Sequence, residues 1–154
     1  MQLTNASGAF FQVSQGVGTI VNDDVLELVL EESGPAPDQA AALDSIFAFR
    51  DPFRIVGIPE WWSTPGNDRN TRVVLFARNL QLNPGELPGA VIVRFTSSTN
   101  QIFEVPAQDL RPVANSDLTQ VVVRLPDNLA PGVCSVFIRA HTRTSNTGTI
   151  RIAP

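Results

Sequence analysis

LTQVVVRLPDNLAPGVCSVFIRA, residues 118–140, carries two apolar runs joined by a turn rich in Pro and Gly. In the first run Val121, Val123 and Leu125 fall on one side of an extended chain and Arg124 on the other. A period of two is the mark of a strand with one buried face. The second run, VCSVFIRA (133–140), is also of strand length, and DNLAPG between them supplies the turn.

Working outward, the same pattern repeats. AVIVRFTS (90–97) sets Val91, Val93 and Phe95 against Arg94, and GTIRIA (148–153) sets Ile150 and Ile152 against Arg151. TRVVLFARNL (71–80) and QIFEVP (101–106) are further short apolar runs, and NPGELPG is another turn. SIFAFR and FRIVGI are broken by Asp51-Pro52, and EWWSTPGNDRN (60–70) is a long turn-rich loop. Short strands separated by Pro/Gly turns predict an all-β, immunoglobulin-like β-sandwich. Burial of the β-branched rows must carry the fold, at roughly 25 cal/mol per Å² of apolar area. The lone Cys134 leaves no intrachain disulfide to help.

Upstream, VLELVLEE (25–32) places Leu26, Leu28 and Leu30 on one face and Glu27 and Glu31 opposite. QGVGTIVNDD (15–24) is a second candidate strand, with Val17, Thr19 and Val21 on one side. SGPAPDQAAALD (33–44) is rich in Pro and Ala and has no strand pattern. The expected organisation is an extra N-terminal β segment over 1–32, a linker over 33–44 and a sandwich domain over 45–154. Thirty-odd residues are too few for an independent core. Their strand must therefore pair with the chain's own sandwich, with a domain lying outside this sequence, or with another copy by strand addition.

Composition narrows the functions. With 17% charged and 43% hydrophobic residues a packed domain is expected. A net charge of −4 lacks the basic footprint of a nucleic-acid binder. Every basic side chain is arginine, so lysine Schiff-base chemistry and Lys–Asn isopeptide cross-links are excluded. No 18-residue apolar run predicts membrane insertion. The opening MQLTNASGAFFQ has neither the charged n-region nor the long apolar h-region of a signal peptide. No P-loop, nucleotide fingerprint or Ser-His-Asp set stands out, and no enzyme is expected.

Two resemblances follow from these residues. Gly16, Gly18, Thr19, Ile20, Asn22, Asp23 and Asp24 resemble the closing strand of Calx-β domains, which occur as repeats in bacterial surface proteins. Leu125, Pro126, Leu129, Gly132, Ser145 and Asn146 resemble the end of an IPT/TIG-type immunoglobulin-like domain, over roughly 71–154. The EWW loop and FRIVGI do not match that pattern well. Together they imply a structural or adhesive module at the cell surface or outside the cell, self-associating or packed on neighbouring domains, and they imply no catalytic residue.

The candidate sites are few. Asp23 and Asp24 could give part of a calcium shell, the one cofactor these residues admit. Adjacent side chains on a strand point apart, however, and a solvated turn explains them as well. Trp61 and Trp62 suit a lid over one end of the sandwich, a subunit interface or a platform for glycan rings. Cys134 and His141 have opposite parity, which gives a buried thiol and a surface imidazole rather than a nucleophile and its base. Arg94, Arg124, Arg139 and Arg151 recur on outward faces. They form either an ordinary solvated surface or a stripe meeting acidic groups of another subunit, such as Glu27, Glu31 and Glu32.

Overall fold

The computed structural model describes residues 24–64 and 66–154. Val17, Thr19, Val21 and Asp23 lie outside them. From Asp24 onward the chain is an all-β sandwich of two antiparallel sheets.

The first sheet contains β1 (Glu27–Leu28), β2 (Ala42–Asp44), β3 (Arg72–Arg78), β6 (Asp109–Pro112) and β7 (Leu118–Arg124). Its order is β1-β3-β7-β6, and β2 lies beside β1 on the same margin of β3. The second sheet contains β4 (Val91–Thr96), β5 (Ile102–Pro106), β8 (Gly132–Ala140), β9 (Arg143–Thr144) and β10 (Gly148–Ile152). Its order is β10-β8-β4-β5, with β9 continuing the β10 margin of β8.

The alternation read from the sequence sets the register. Val91, Val93 and Phe95 of β4 and Cys134, Val136 and Ile138 of β8 are fully buried. They face Val73, Leu75, Val121 and Val123 of the other sheet in one contiguous core. Each buried Val or Leu contributes about 1.5–3 kcal/mol.

The organisation differs from the sequence expectation in one respect. Residues 25–32 are part of this sandwich, and the second half of the expected linker is a strand of it. Leu26 and Leu28 are core residues, as are Ala40 and Ala42. Val29 donates its N–H to the Phe76 carbonyl (2.9 Å), and Ala41 donates to Val29 (2.9 Å). Alanine and proline carry no visible period two, which is why 39–44 reads as a linker; what places it is backbone pairing and the need for small side chains against β10. Gly148 shows how close that approach is. A Cβ there would sit 2.9 Å from Leu30, 3.0 Å from Leu28 and 3.1 Å from Ala40. Residues 25–30 pair with the chain's own sheet, whereas the strand expected over 15–24, with its three pairing solutions, lies outside the described residues but for Asp24.

One side chain seals this seam. Asn146 accepts a hydrogen bond from the Leu28 N–H (2.8 Å) and donates its amide to the Leu28 carbonyl (3.0 Å). Its carboxamide thus does what a neighbouring strand would do. Ser145 prepares it by accepting from the Ile138 N–H (2.9 Å) and donating to the Asn146 carbonyl (2.7 Å).

Candidate functional site

The long connection from β2 to β3, residues 45–71, is fastened at both margins yet presents its largest side chains outward. It opens with Asp44, whose carboxylate accepts the N–H groups of Ile46 (2.8 Å) and Phe47 (2.7 Å). The Asp44 N–H donates to the Phe49 carbonyl (2.8 Å), and Ala48 turns the chain at φ 54°.

The next stretch is pinned to the second sheet. Phe53 is buried and exchanges backbone hydrogen bonds with Arg151 and Ala153 (both 2.8 Å). Asp51 accepts the Arg151 N–H (2.9 Å), the Arg151 guanidinium (3.3 Å) and the Gln39 amide (2.8 Å). Further on, Gly57 and Ile58 donate to the Arg69 carbonyl, and Thr71 donates to Ile55.

Between these anchors Glu60–Trp62 makes one turn of 3-10 helix, closed by the Trp62 and Ser63 N–H groups. Trp61 is 85% exposed, Trp62 57%, Phe49 68% and Phe47 37%. The expected lid is therefore not formed, because the 3-10 turn holds both indoles away from the core. The rings instead form a row. Centroids lie 5.8 Å apart for Phe49 and Phe47, 5.3 Å for Phe47 and Trp62, and 6.3 Å for Trp62 and Trp61. The two outer pairs are within 19° and 18° of parallel.

Two clefts flank the row. One, of about 320 Å³, is lined by Phe47, Phe49, Pro52, Phe53, Arg50 and Arg54. The other, of about 450 Å³, is lined by Trp62, Ser63, Asn67, Asp68 and Arg72. Phe47 and Trp62, in contact with each other, belong one to each.

An ionic cluster braces the second cleft. Asp68 lies 2.7 Å from Arg124 and 3.0 Å from Arg72, and Arg124 also meets Asp127 at 2.7 Å. The Arg124 hydrogen bond holds Asp68 below the usual carboxylate range, helped by the Asn70 N–H and Arg72. Asp127 is lowered first by Arg124 and then by the Asn70 amide.

The four outward arginines do not make a stripe. Arg124 lies on the first sheet, and Arg94, Arg139 and Arg151 lie on the second. Their partners are within the chain: Asp68 and Asp127 for Arg124, Glu104 for Arg139, Asp51 for Arg151 and the Phe137 ring for Arg94. Glu27 and Glu31 likewise meet Arg78 and Arg50.

Cys134 is buried, and burial pushes its thiol up to about 12, so at neutral pH it is the unreactive thiol. His141 stands apart from it on a surface turn, 2.7 Å from Glu86. Glu86 is held low by the Asn83 N–H and then by His141. Asp24 borders a shallow depression with Glu27, Asn79 and Asn146. Both asparagines there use their amides to hold backbone, Asn79 on the Val25 carbonyl and Asn146 on Leu28. Among the described residues no three His, Cys, Asp or Glu side chains converge as a metal set, and no helix is long and apolar enough to cross a membrane.

The sequence marks Trp61 and Trp62 but not Phe47 and Phe49, which complete the row, nor Arg54, which shares a cleft with the two phenylalanines. The Phe residues lie in SIFAFR, whose alternation suggests a strand. The signal that would have found them is the Asp44 carboxylate at the head of a turn, three residues before Phe47. No family model, curated protein or solved structure matches the chain.

Proposed function

We propose that the chain is a non-enzymatic, extracellular adhesive module of a bacterial surface protein, whose contact surface is the row Phe49–Phe47–Trp62–Trp61. The observation carrying this reading is four exposed rings in mutual contact on a fastened loop. Large aromatics held in place without a core to fill supply contact area at little entropic cost on binding. The resemblances to Calx-β and IPT/TIG domains are what favour the cell surface.

The test is adhesion of beads coated with the protein to bacterial and host surfaces, with the Trp61→Ala/Trp62→Ala double variant beside it. Loss of adhesion with an unchanged melting temperature is expected. Equal adhesion of both proteins removes the ring row from the reading.

A second reading is self-assembly into a filament by strand addition, favoured by β5. Among the described residues β5 has one strand neighbour, β4, and its Ile102 is exposed. In this reading Val17, Thr19 and Val21 of a second copy supply the added strand. Sedimentation velocity on a chain lacking residues 1–23 decides it: the same assembly state as the full chain rules strand donation out.

A further inference from the structure

We propose that the aromatic row binds an acidic polysaccharide, with sugar rings packed against its exposed surface and Arg54 pairing with a sugar carboxylate in the cleft beside Phe49. This rests on the adhesive reading and names its ligand.

The arginines are not equally engaged. Every other one meets a carboxylate, a carbonyl or a ring of its own chain. The exposed guanidinium of Arg54 has no hydrogen bond, ion pair or ring contact among the described residues. It borders the 320 Å³ cleft together with Phe47, Phe49, Pro52 and Asp44, whose carboxylate accepts the Ile46 and Phe47 N–H groups. The backbone behind it is fixed, since the Arg54 carbonyl accepts the Thr71 hydroxyl and Phe53 is tied to β10. A planar donor fork without a partner, on rigid backbone, beside apolar rings, is suited to a carboxylate carried on a flat apolar face. A uronate pyranose has both.

The second cleft extends the same chemistry. Ser63 and Asn67 line it with Trp62; the Ser63 hydroxyl donates to the Glu60 carbonyl and the Asn67 amide to the Thr64 hydroxyl, which leaves a second amide N–H and both side-chain oxygens for a ligand. Such a mixture of donors and acceptors matches sugar hydroxyls, which need both. The row between the clefts runs over four rings with centroids 5.3–6.3 Å apart, a surface long enough to touch a chain rather than a single sugar. Insertion into an anionic lipid surface fits less well. Glu60, with its side chain 90% exposed, stands next to Trp61 and would be carried into the apolar boundary together with the rings.

The test is titration calorimetry with oligomers of galacturonate, alginate and hyaluronan, each beside its carboxyl-reduced neutral counterpart, and with phosphatidylglycerol vesicles. The expected result is binding of at least one acidic oligomer about tenfold or more tighter than its neutral form. Arg54→Gln should abolish that preference, Arg54→Lys should keep part of it, and Trp62→Ala should weaken both forms. Near-UV circular dichroism and melting temperature verify that each variant is folded. Equal binding of acidic and neutral forms overturns the assignment, as does a preference that survives Arg54→Gln. So does the absence of binding to all three acids, or binding to vesicles alone. If neutral sugars bind and the tryptophan variants do not, the adhesive reading stands and the carboxylate is wrong. If no sugar binds and the double tryptophan variant adheres like the parent, both readings fall.

Discussion

Residues 38–44 and 45–63 adjoin in sequence and, apart from Phe53, which pairs with β10, treat their apolar side chains in opposite ways. The first stretch buries Ala40 and Ala42 and gives its backbone to Thr149, Val29 and β3. The second exposes Ile46, Phe47, Phe49, Trp61 and Trp62, although they are far more hydrophobic. Composition alone would have assigned them the other way round. The difference lies in the backbone. A segment that pairs along a strand margin brings its Cβ atoms over the core, whereas one folded on its own carbonyls, as at Asp44–Phe49 and Glu60–Ser63, turns them outward. Burial here follows hydrogen bonding.

The comparison can be broken first at the buried stretch's neighbour. Leu28→Ala should cost about 2–5 kcal/mol of unfolding free energy, the range for a fully buried leucine. Urea denaturation measures it, and a loss below about 1 kcal/mol would mean that β1 is not integral to the core. Next, Asn146→Ala leaves both Leu28 backbone groups without the partner they now have, and should cost about 1–3 kcal/mol. Hydrogen exchange at the Leu28 amide should rise with it. If that amide stays protected, something other than the carboxamide holds β1.

Acid should act on the ionic cluster beside the rings and on the Glu86–His141 pair. Asp68, Asp127 and Glu86 are all held below their ordinary values. Stability from a depressed carboxylate is present above its unfolded value and lost as pH falls through the folded one. Wild-type melting temperature should therefore drop from about pH 5 to about pH 3. Arg124→Gln should drop less, because Asp68 and Asp127 then titrate nearer their unfolded values. Identical slopes would place the acid sensitivity elsewhere. The smallest effect is expected on the exposed side. Trp61→Ala should shift stability by no more than about 0.5 kcal/mol, and a larger loss in thermal unfolding would make the indole part of the packing.

The strand body was legible in the sequence because its signal is local. Val91, Val93 and Phe95, or Val121 and Val123, announce a face by alternation alone, and β4 and β7 carry them inward as expected. Parity likewise separated Cys134 from His141. The edge elements were not legible. Ala40, just before β2, packs where Gly148 leaves space opposite it, a relation spanning more than a hundred residues. The arginine partners were missed for a similar reason, since parity gives the side of a sheet and not which of two sheets a strand joins. Ser145 and Asn146 entered as a motif without a cause. The cause is mechanical: they bridge the gap between β9 and β10 and fasten β1.

That fastening has a chemical side. A carboxamide can serve Leu28 only because it owns one oxygen and one nitrogen. Deamidation to aspartate would turn the nitrogen into a second oxygen and set a negative charge against the Leu28 carbonyl. Ageing of one side chain would then unzip the margin of the sandwich, and Asn146→Asp is the variant in which to watch it happen.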